Sequence, residues 1–282
     1  MHISVLFENP AHLEELLRVE EITRIYLPLE RLLSSEEAAG RRTAAAGRGR
    51  EATARCREAV RRCQEAGKEA WLALPYLFRR ETAAFLRQNR EALAQARADG
   101  WLVRTLDEAG FLEAEKLPGR RIFDAGLYSW NREAALVLKG LGADQLTAPY
   151  ELNARELADR GQEDTELVVY GRLPVMVSAQ CPLQTETGRC GKGRQEYAFR
   201  PLRDRKGMAF LAENRCRFCY NVIYNSVPLW LWDKPEARWE WVRFHFTSEE
   251  EGEPRRILER CLRGSGEPPR QYTRGHFTRG VE

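Results

Sequence analysis

Short apolar runs and amphipathic stretches alternate along this chain from its first residues onward. The runs HISVLFE (2–8), TRIYLPLE (23–30), EAWLALPYL (69–77), WLVRTLDEA (101–109), RRIFDAGL (120–127), ADQLTAPYEL (143–152), TELVVYGRL (165–173) and WVRFHFTSE (241–249) read as eight strands. Between most of them lie helical stretches such as AHLEELLRVEE, EATARCREAVRRCQEAG, ETAAFLRQNREALAQARADG and REAALVLKGLG. Strands that alternate with helices argue for parallel βα units. Eight such units in 282 residues predict an α/β fold of the (β/α)8, TIM-barrel-like type, whose residue requirement matches. An open doubly wound sheet is the competing arrangement, but no Gly-x-Gly-x-x-Gly turn follows the first strand.

Two segments interrupt the alternation within what reads as a single barrel-like domain over 1–282. Residues from about Leu33 to Arg50, rich in Ala, Gly, Arg and Ser, are expected to form a mobile βα loop. Residues 181–239 form a cysteine-rich insertion between the seventh and eighth strands. In barrels of this type the loops that follow strands build the functional face. The insertion is therefore expected there, together with Glu8, Glu30, Asp107, Asp124 and Glu151 at or near strand ends. For each carboxylate, helix capping or loop solvation is the competing reading.

The insertion carries the strongest chemical signal. Cys181 and Cys190 in CPLQTETGRC precede Cys216 and Cys219 in CRFCYN, a C-x8-C…C-x2-C pattern. Thiolates are soft ligands, and four of them close either a zinc site or an iron–sulfur cluster. A disulfide pair or four unrelated thiols are the rival readings. Cys56 and Cys63 lie two helical turns apart, about 10 Å along the axis and too far for a bridge, and read as buried small hydrophobes, as does Cys261. The four histidines form no ligand-spaced pair. His276, among Gly, Arg and aromatics in YTRGHFTRG, is a candidate general acid or RNA contact, and Glu8 and Glu151 are candidate catalytic carboxylates.

Composition narrows the setting. A hydrophobic share of 43% and a charged share of 31% describe a globular protein able to bury a sizeable core. No run approaches the roughly eighteen apolar residues of a membrane helix, and MHISVLFENPAHLEE lacks the pattern of a signal peptide. A reducing cytoplasm is the expected location, which disfavours disulfides. A net charge of +3 is too mild to define a partner. Basic residues nonetheless gather in RRTAAAGRGR, GKGRQEYAFRPLRDRKG and RQYTRGHFTRG. Arg189, Lys192, Arg194, Arg215 and Arg217 flank the cysteines, where they raise thiolate character and attract phosphate. Of these, Arg189, Lys192, Arg194 and Arg217, together with Arg274, are the candidate RNA contacts, and Tyr220, Tyr224 and Trp230 are candidate stacking residues. A solvated Arg-rich surface and packing around a metal lobe compete with these roles. No nucleophile elbow, Walker loop or His-Glu-x-x-His is present.

The stretch ELVVYGRLPVMVSAQC, from Glu166 to Cys181, resembles the signature of the peptidase U32 family, approximately Glu-x-x-x-x-Gly-x-Leu-Cys, six residues, Cys. Glu166, Gly171, Leu173 and Cys181 match; Pro174 stands where the pattern has its first cysteine. Cys190, CRFCYNVIYNSVPLWL and YTRGHFTRGVE look like the closing part of longer bacterial members. The family was first described as collagenase-like peptidases. The resemblance implies instead an enzyme of tRNA or rRNA base hydroxylation, with a [4Fe-4S] cluster on four cysteines, dependence on prephenate, and further domains or subunits of a larger assembly. Only Cys181 falls directly on a family ligand position; Cys190, Cys216 and Cys219 would complete the set. A zinc-bearing scaffold or RNA-binding module without its own catalysis, and a collagenase-like peptidase, are the alternatives.

Overall fold

The computed structural model describes residues 1–33, 45–190, 197–264 and 266–281. Its centre is a closed barrel of eight parallel strands: β1 (His2–Phe7), β2 (Ile22–Pro28), β3 (Glu69–Ala73), β4 (Gly100–Val103), β5 (Arg120–Phe123), β6 (Gln145–Thr147), β7 (Thr165–Gly171) and β13 (Trp241–Phe246). The ring closes because β7 pairs with both β6 and β13, and β13 pairs with β1. All eight runs expected from the hydrophobic pattern are these strands. A helix covers most crossovers, as right-handed parallel connections require.

Local sequence explains where several helices start. Helix α6 (Leu106–Ala114) opens with a capping box in which Thr105 and Glu108 satisfy each other's backbone N–H groups. Asn153 and Glu156 do the same for α8 (Ala154–Arg160). Helix α3 (Ala45–Glu65) begins inside the segment read as a loop. The loop expectation is corrected for residues 45–50, which are helical, and residues 34–44 lie outside the described residues. Cys56 and Cys63 are buried on α3, and Cys261 on α10 (Glu253–Arg263), as their spacing suggested.

Alternate strand residues point outward to the helices or inward to the barrel axis. Leu6, Tyr26, Trp71, Ala73, Leu102 and Ile122 form an inner apolar cluster. Beside it runs a charged column. Glu166 on β7 accepts from Ser4 Oγ at 2.7 Å, from Tyr26 at 2.7 Å and from Thr147 at 3.1 Å, and pairs with Arg243 on β13. Arg243 in turn reaches Asp124 at 2.8 Å. Buried charges persist only when paired and hydrogen-bonded, and each charge of this column has an opposite charge in contact, although Arg243 Nε makes no hydrogen bond among the described residues.

Between β7 and β13 the chain leaves the barrel to form a four-stranded antiparallel lobe, ordered β8 (Pro174–Ser178), β11 (Tyr220–Tyr224), β10 (Ala209–Arg215) and β9 (Phe199–Arg203). The lobe starts at Pro174, so Cys181 falls within it. Gly171 sets its exit. At φ +141 it lies where a Cβ would stand 2.3 Å from the His245 carbonyl oxygen, so no larger residue fits. After the lobe, β12 (Leu229–Trp230) returns antiparallel on Tyr170 and Gly171.

Candidate active site at the barrel mouth

The C-terminal ends of the barrel strands form a mouth that the lobe divides in two. The half built by β4, β5 and β6 is open, and holds a cleft of about 270 Å³. Its floor comes from residues just past strand ends: Tyr76 after β3, Arg104 after β4, Asp124 after β5, Tyr150 and Glu151 after β6. Strand β8 lies along one side and presents Val175 and Val177. β8 is an edge strand of the lobe, and Val175, Met176 and Val177 are all exposed.

The cleft groups are held by directed contacts. Arg104 is buried, and its Nε donates to Asp124 Oδ2 at 3.3 Å while Nη1 donates to the Leu74 carbonyl. Its guanidinium carbon lies 3.7 Å from the centre of the Tyr76 ring, a cation–π contact. Asp124 also accepts from Arg243 Nη1 at 2.8 Å and from its neighbour Ala125 N at 2.9 Å. Burial pushes Asp124 upward, but Arg243 and Arg104 outweigh it and hold the carboxyl at about 2. Burial raises the hydroxyls of Tyr76 and Tyr150 well above the ordinary tyrosine range, so both are proton-bearing groups at neutral pH. Two buried atoms of cleft residues have no hydrogen-bond partner among the described residues: Arg104 Nη2 and Glu151 Oε2. A lone donor and a lone acceptor, both on charged side chains, leave the cleft complementary to a ligand that carries an acceptor and a donor of its own. On the rim, Tyr128 sits in the left-handed region at φ 52 and stacks on Trp130, with ring centres 6.1 Å apart and both rings exposed.

The other half of the mouth, over β1, β2 and β3, is covered. Arg215 of β10 enters it and is 1% exposed. It pairs with Glu8 after β1 at 2.7 Å, with Glu213 at 2.7 Å and with Glu30 at 3.5 Å, and donates to Tyr224 Oη at 3.0 Å. Tyr220 donates to Glu30, and Arg31 pairs with Glu213. His245 Nε2 lies 3.2 Å from Glu8 Oε1. Burial pushes Glu8 upward, and Arg215 and His245 more than reverse it, leaving its carboxyl well below the usual range. Glu8 and Glu30 are thus committed to anchoring the lobe, while Glu151 lines the cleft. Asp107 is exposed on the first turn of α6, and His276 Nδ1 donates to the Gly280 carbonyl at 2.8 Å in the exposed C-terminal segment.

The four cysteines are all lobe residues. Cys216 opens a 3-10 turn (Cys216–Phe218), and Cys219 closes it in the left-handed conformation at φ 53. The β8–β11 register pairs Ser178 with Asn221, and Asn221 Nδ2 donates to the Gln180 carbonyl at 2.7 Å. That register brings Cys181, at the start of α9 (Pro182–Thr187), to the same end of the lobe as the turn. Cys190 follows α9 and is exposed. All four are exposed or half-exposed, whereas burial pushes Cys56, Cys63 and Cys261 up to about 12. The donor chemistry fits a soft metal. Among the described residues no three His, Cys, Asp or Glu side chains gather as a metal site, so no chemical step is derived through a bound group.

The basic candidates scatter. Arg189 is exposed, Arg217 stacks 4.0 Å above Phe85, and Arg274 pairs with Asp233 at 2.7 Å. Lys192 and Arg194 lie outside the described residues. Tyr220, Tyr224 and Trp230 are buried within the lobe and its return strand, so their stacking role is corrected to packing and anchoring. Sequence reading also missed Arg104, Tyr76 and Tyr150. A signal existed for the tyrosines: Pro-Tyr follows strands β3 and β6 alike, at 75–76 and 149–150, and both tyrosines reach the cleft.

Comparison with known proteins adds a family. A family model described as Peptidase family U32 matches residues 38–249. No curated protein matches the chain. Among solved structures, the C-terminal domain of a putative chitinase from Desulfitobacterium hafniense DCB-2 is similar at 11% identity over 93% of this chain and 99% of that one, with a TM-score of 0.40. Thiamine phosphate pyrophosphorylase from Pyrococcus furiosus is similar at 13% identity over 59% and 73%, with a TM-score of 0.33. The tryptophan synthase A-subunit from Pyrococcus furiosus gives 16% identity over 59% and 77%, with a TM-score of 0.34. No described helix is long and apolar enough to cross a membrane.

Proposed function

The chain belongs to peptidase family U32, and from that membership we propose that it is an enzyme module acting on an RNA base, with its reaction centre in the open half of the mouth. The observation that carries this reading is the cleft of about 270 Å³ with unpartnered Arg104 Nη2 and Glu151 Oε2 beside two half-buried tyrosines. An unpaired base presents donors, acceptors and a stacking face together, and the Tyr128–Trp130 pair offers that face a platform at the rim. In this reading Arg104 and Glu151 bind the base edge, Glu151 moves a proton, and Tyr150 donates a hydrogen bond, while the Tyr76 hydroxyl is turned to Glu8 at 3.4 Å. The family resemblance supports a tRNA or rRNA hydroxylation that depends on prephenate as the proposed reaction. A [4Fe-4S] cluster on Cys181, Cys190, Cys216 and Cys219 would supply redox or Lewis-acid chemistry at the lobe.

The test has two parts. Anaerobically purified wild type is expected to carry iron and a visible thiolate–iron absorption that Cys216→Ser abolishes. Mass spectrometry of RNA from cells lacking the protein should show loss of one hydroxylated base, restored by wild type and not by Glu151→Gln. Restoration by both proteins would remove the cleft from the reaction. One observation favours a second reading: a short turn closed by a cysteine in the left-handed conformation suits a structural zinc. One zinc per chain and no colour would establish that reading and end the redox one.

A further inference from the structure

We propose that Glu8 and Glu30 are positioning residues for the Cys216–Cys219 thiol pair, gripping the residues on either side of its turn so that the pair is fixed against the barrel mouth. The turn is bracketed by Arg215 and Tyr220. Arg215 is clamped between Glu8 at 2.7 Å and Glu30 at 3.5 Å, and Tyr220 donates to the same Glu30. Within the turn, Arg217 lies over the Phe85 ring of α4 (Arg80–Gln88), and buried Phe218 meets that ring edge-on at 6.2 Å. Four of the six residues from 215 to 220 are thus held by barrel groups, two of them through carboxylates at the ends of neighbouring strands. Cys216 is half-exposed and Cys219 exposed.

The chemistry of the clamp argues for a role beyond cohesion. An arginine shared by three buried carboxylates is a costly way to dock a sheet, since apolar residues of like volume generally serve stability as well or better. What charged, directional contacts add is orientation. Both strand-end carboxylates converge on one short turn, and that turn bears two thiols three residues apart. Groups that orient ligands from behind tune metal affinity by about 10–100-fold.

The test uses the full chain and four proteins: wild type, Tyr220→Phe, Arg215→Met and Arg215→Lys. Two readouts are taken. The first is the rate at which an aromatic disulfide reagent labels Cys216 and Cys219, resolved by peptide mass spectrometry, with buried Cys56, Cys63 and Cys261 as internal controls for unfolding of the barrel. The second is cadmium affinity, followed by the ultraviolet thiolate band. Tyr220→Phe, which deletes one hydroxyl, is expected to speed labelling of Cys216 severalfold and to weaken cadmium binding by about tenfold, with the three control thiols still protected. Arg215→Lys is expected to lie between wild type and Arg215→Met. Wild-type labelling rates and affinity in Tyr220→Phe would overturn the proposal, whether or not Arg215→Met folds. The cadmium arm rests on reading these cysteines as ligands. If wild type binds no cadmium, that reading fails, while the labelling arm still decides the clamp.

Discussion

The two halves of the barrel mouth are built from equivalent positions at the ends of three strands each, yet they end in opposite states. Over β1 to β3 the lobe reaches the strand-end charges directly: Glu8 pairs with Arg215, Glu30 accepts from Tyr220, and Arg31 pairs with Glu213. Over β4 to β6 the lobe turns away, and Arg104 Nη2 and Glu151 Oε2 lack partners. A buried donor or acceptor without a partner costs about 1–3 kcal/mol. The closed half therefore serves stability and orientation through its ion pairs, whereas in the open half the unmet atoms belong to residues that line a cleft a ligand can enter. This is why Glu8 and Glu151, alike in the sequence, have separate roles.

Substitutions can break that contrast. Arg215→Met should have the largest effect on folding, because it leaves Glu8, Glu30 and Glu213 buried without their shared cation; a loss of about 3–5 kcal/mol is expected in urea denaturation. A loss under about 1 kcal/mol would mean that the closed half is not held by charge. Glu151→Gln should do the reverse: stability within about 0.5 kcal/mol of wild type, with turnover on RNA down about a hundredfold if Glu151 moves a proton. Equal losses of stability in the two variants would erase the distinction between the halves.

Asp124 sharpens the comparison from within the open half, where it is the one fully satisfied carboxylate. Its folded value of about 2 lies below the ordinary 3.8. Its contribution is thus complete above about pH 4 and is lost as pH falls through 2. The shift corresponds to roughly 2 kcal/mol. Denaturation curves between pH 5 and pH 2 should be flatter for Asp124→Asn than for wild type, and parallel curves would show that the arginines do not hold this carboxyl. The smallest effect is expected at the rim. Tyr128→Ala should leave stability almost unchanged but weaken binding of a single-stranded RNA by about 1 kcal/mol, the lower end for one stacked base. Unaltered RNA affinity would remove the rim from the site.

Much of the architecture was legible because barrel strands announce themselves locally. Each apolar run was a strand, and the breaks between runs were helices capped by nearby residues such as Thr105 and Asn153. The thiols of Cys56 and Cys63 were legible for the same reason, since a seven-residue spacing fixes a helix face. The lobe was legible as an interruption but not as a sheet: β8 is exposed along Val175, Met176 and Val177, so no hydrophobic alternation marks that strand. The segment from Leu33 to Arg50 was misread in part because its Ala, Gly and Arg content masks the start of α3.

By itself, then, the sequence determined the count of barrel strands, the parallel βα order, the place of the insertion, the family signature and the thiol set. Local periodicity and spacing suffice for these. Only the tertiary structure decided which charges are consumed and which are left. Glu8 and Arg215 stand 207 residues apart and meet at 2.7 Å, and Gly171 reaches its demanding conformation only because His245 packs against it. Whether a strand-end carboxylate anchors a lobe or faces a cleft depends on what folds back over it, and that pairing is a property of space rather than of neighbours in the chain.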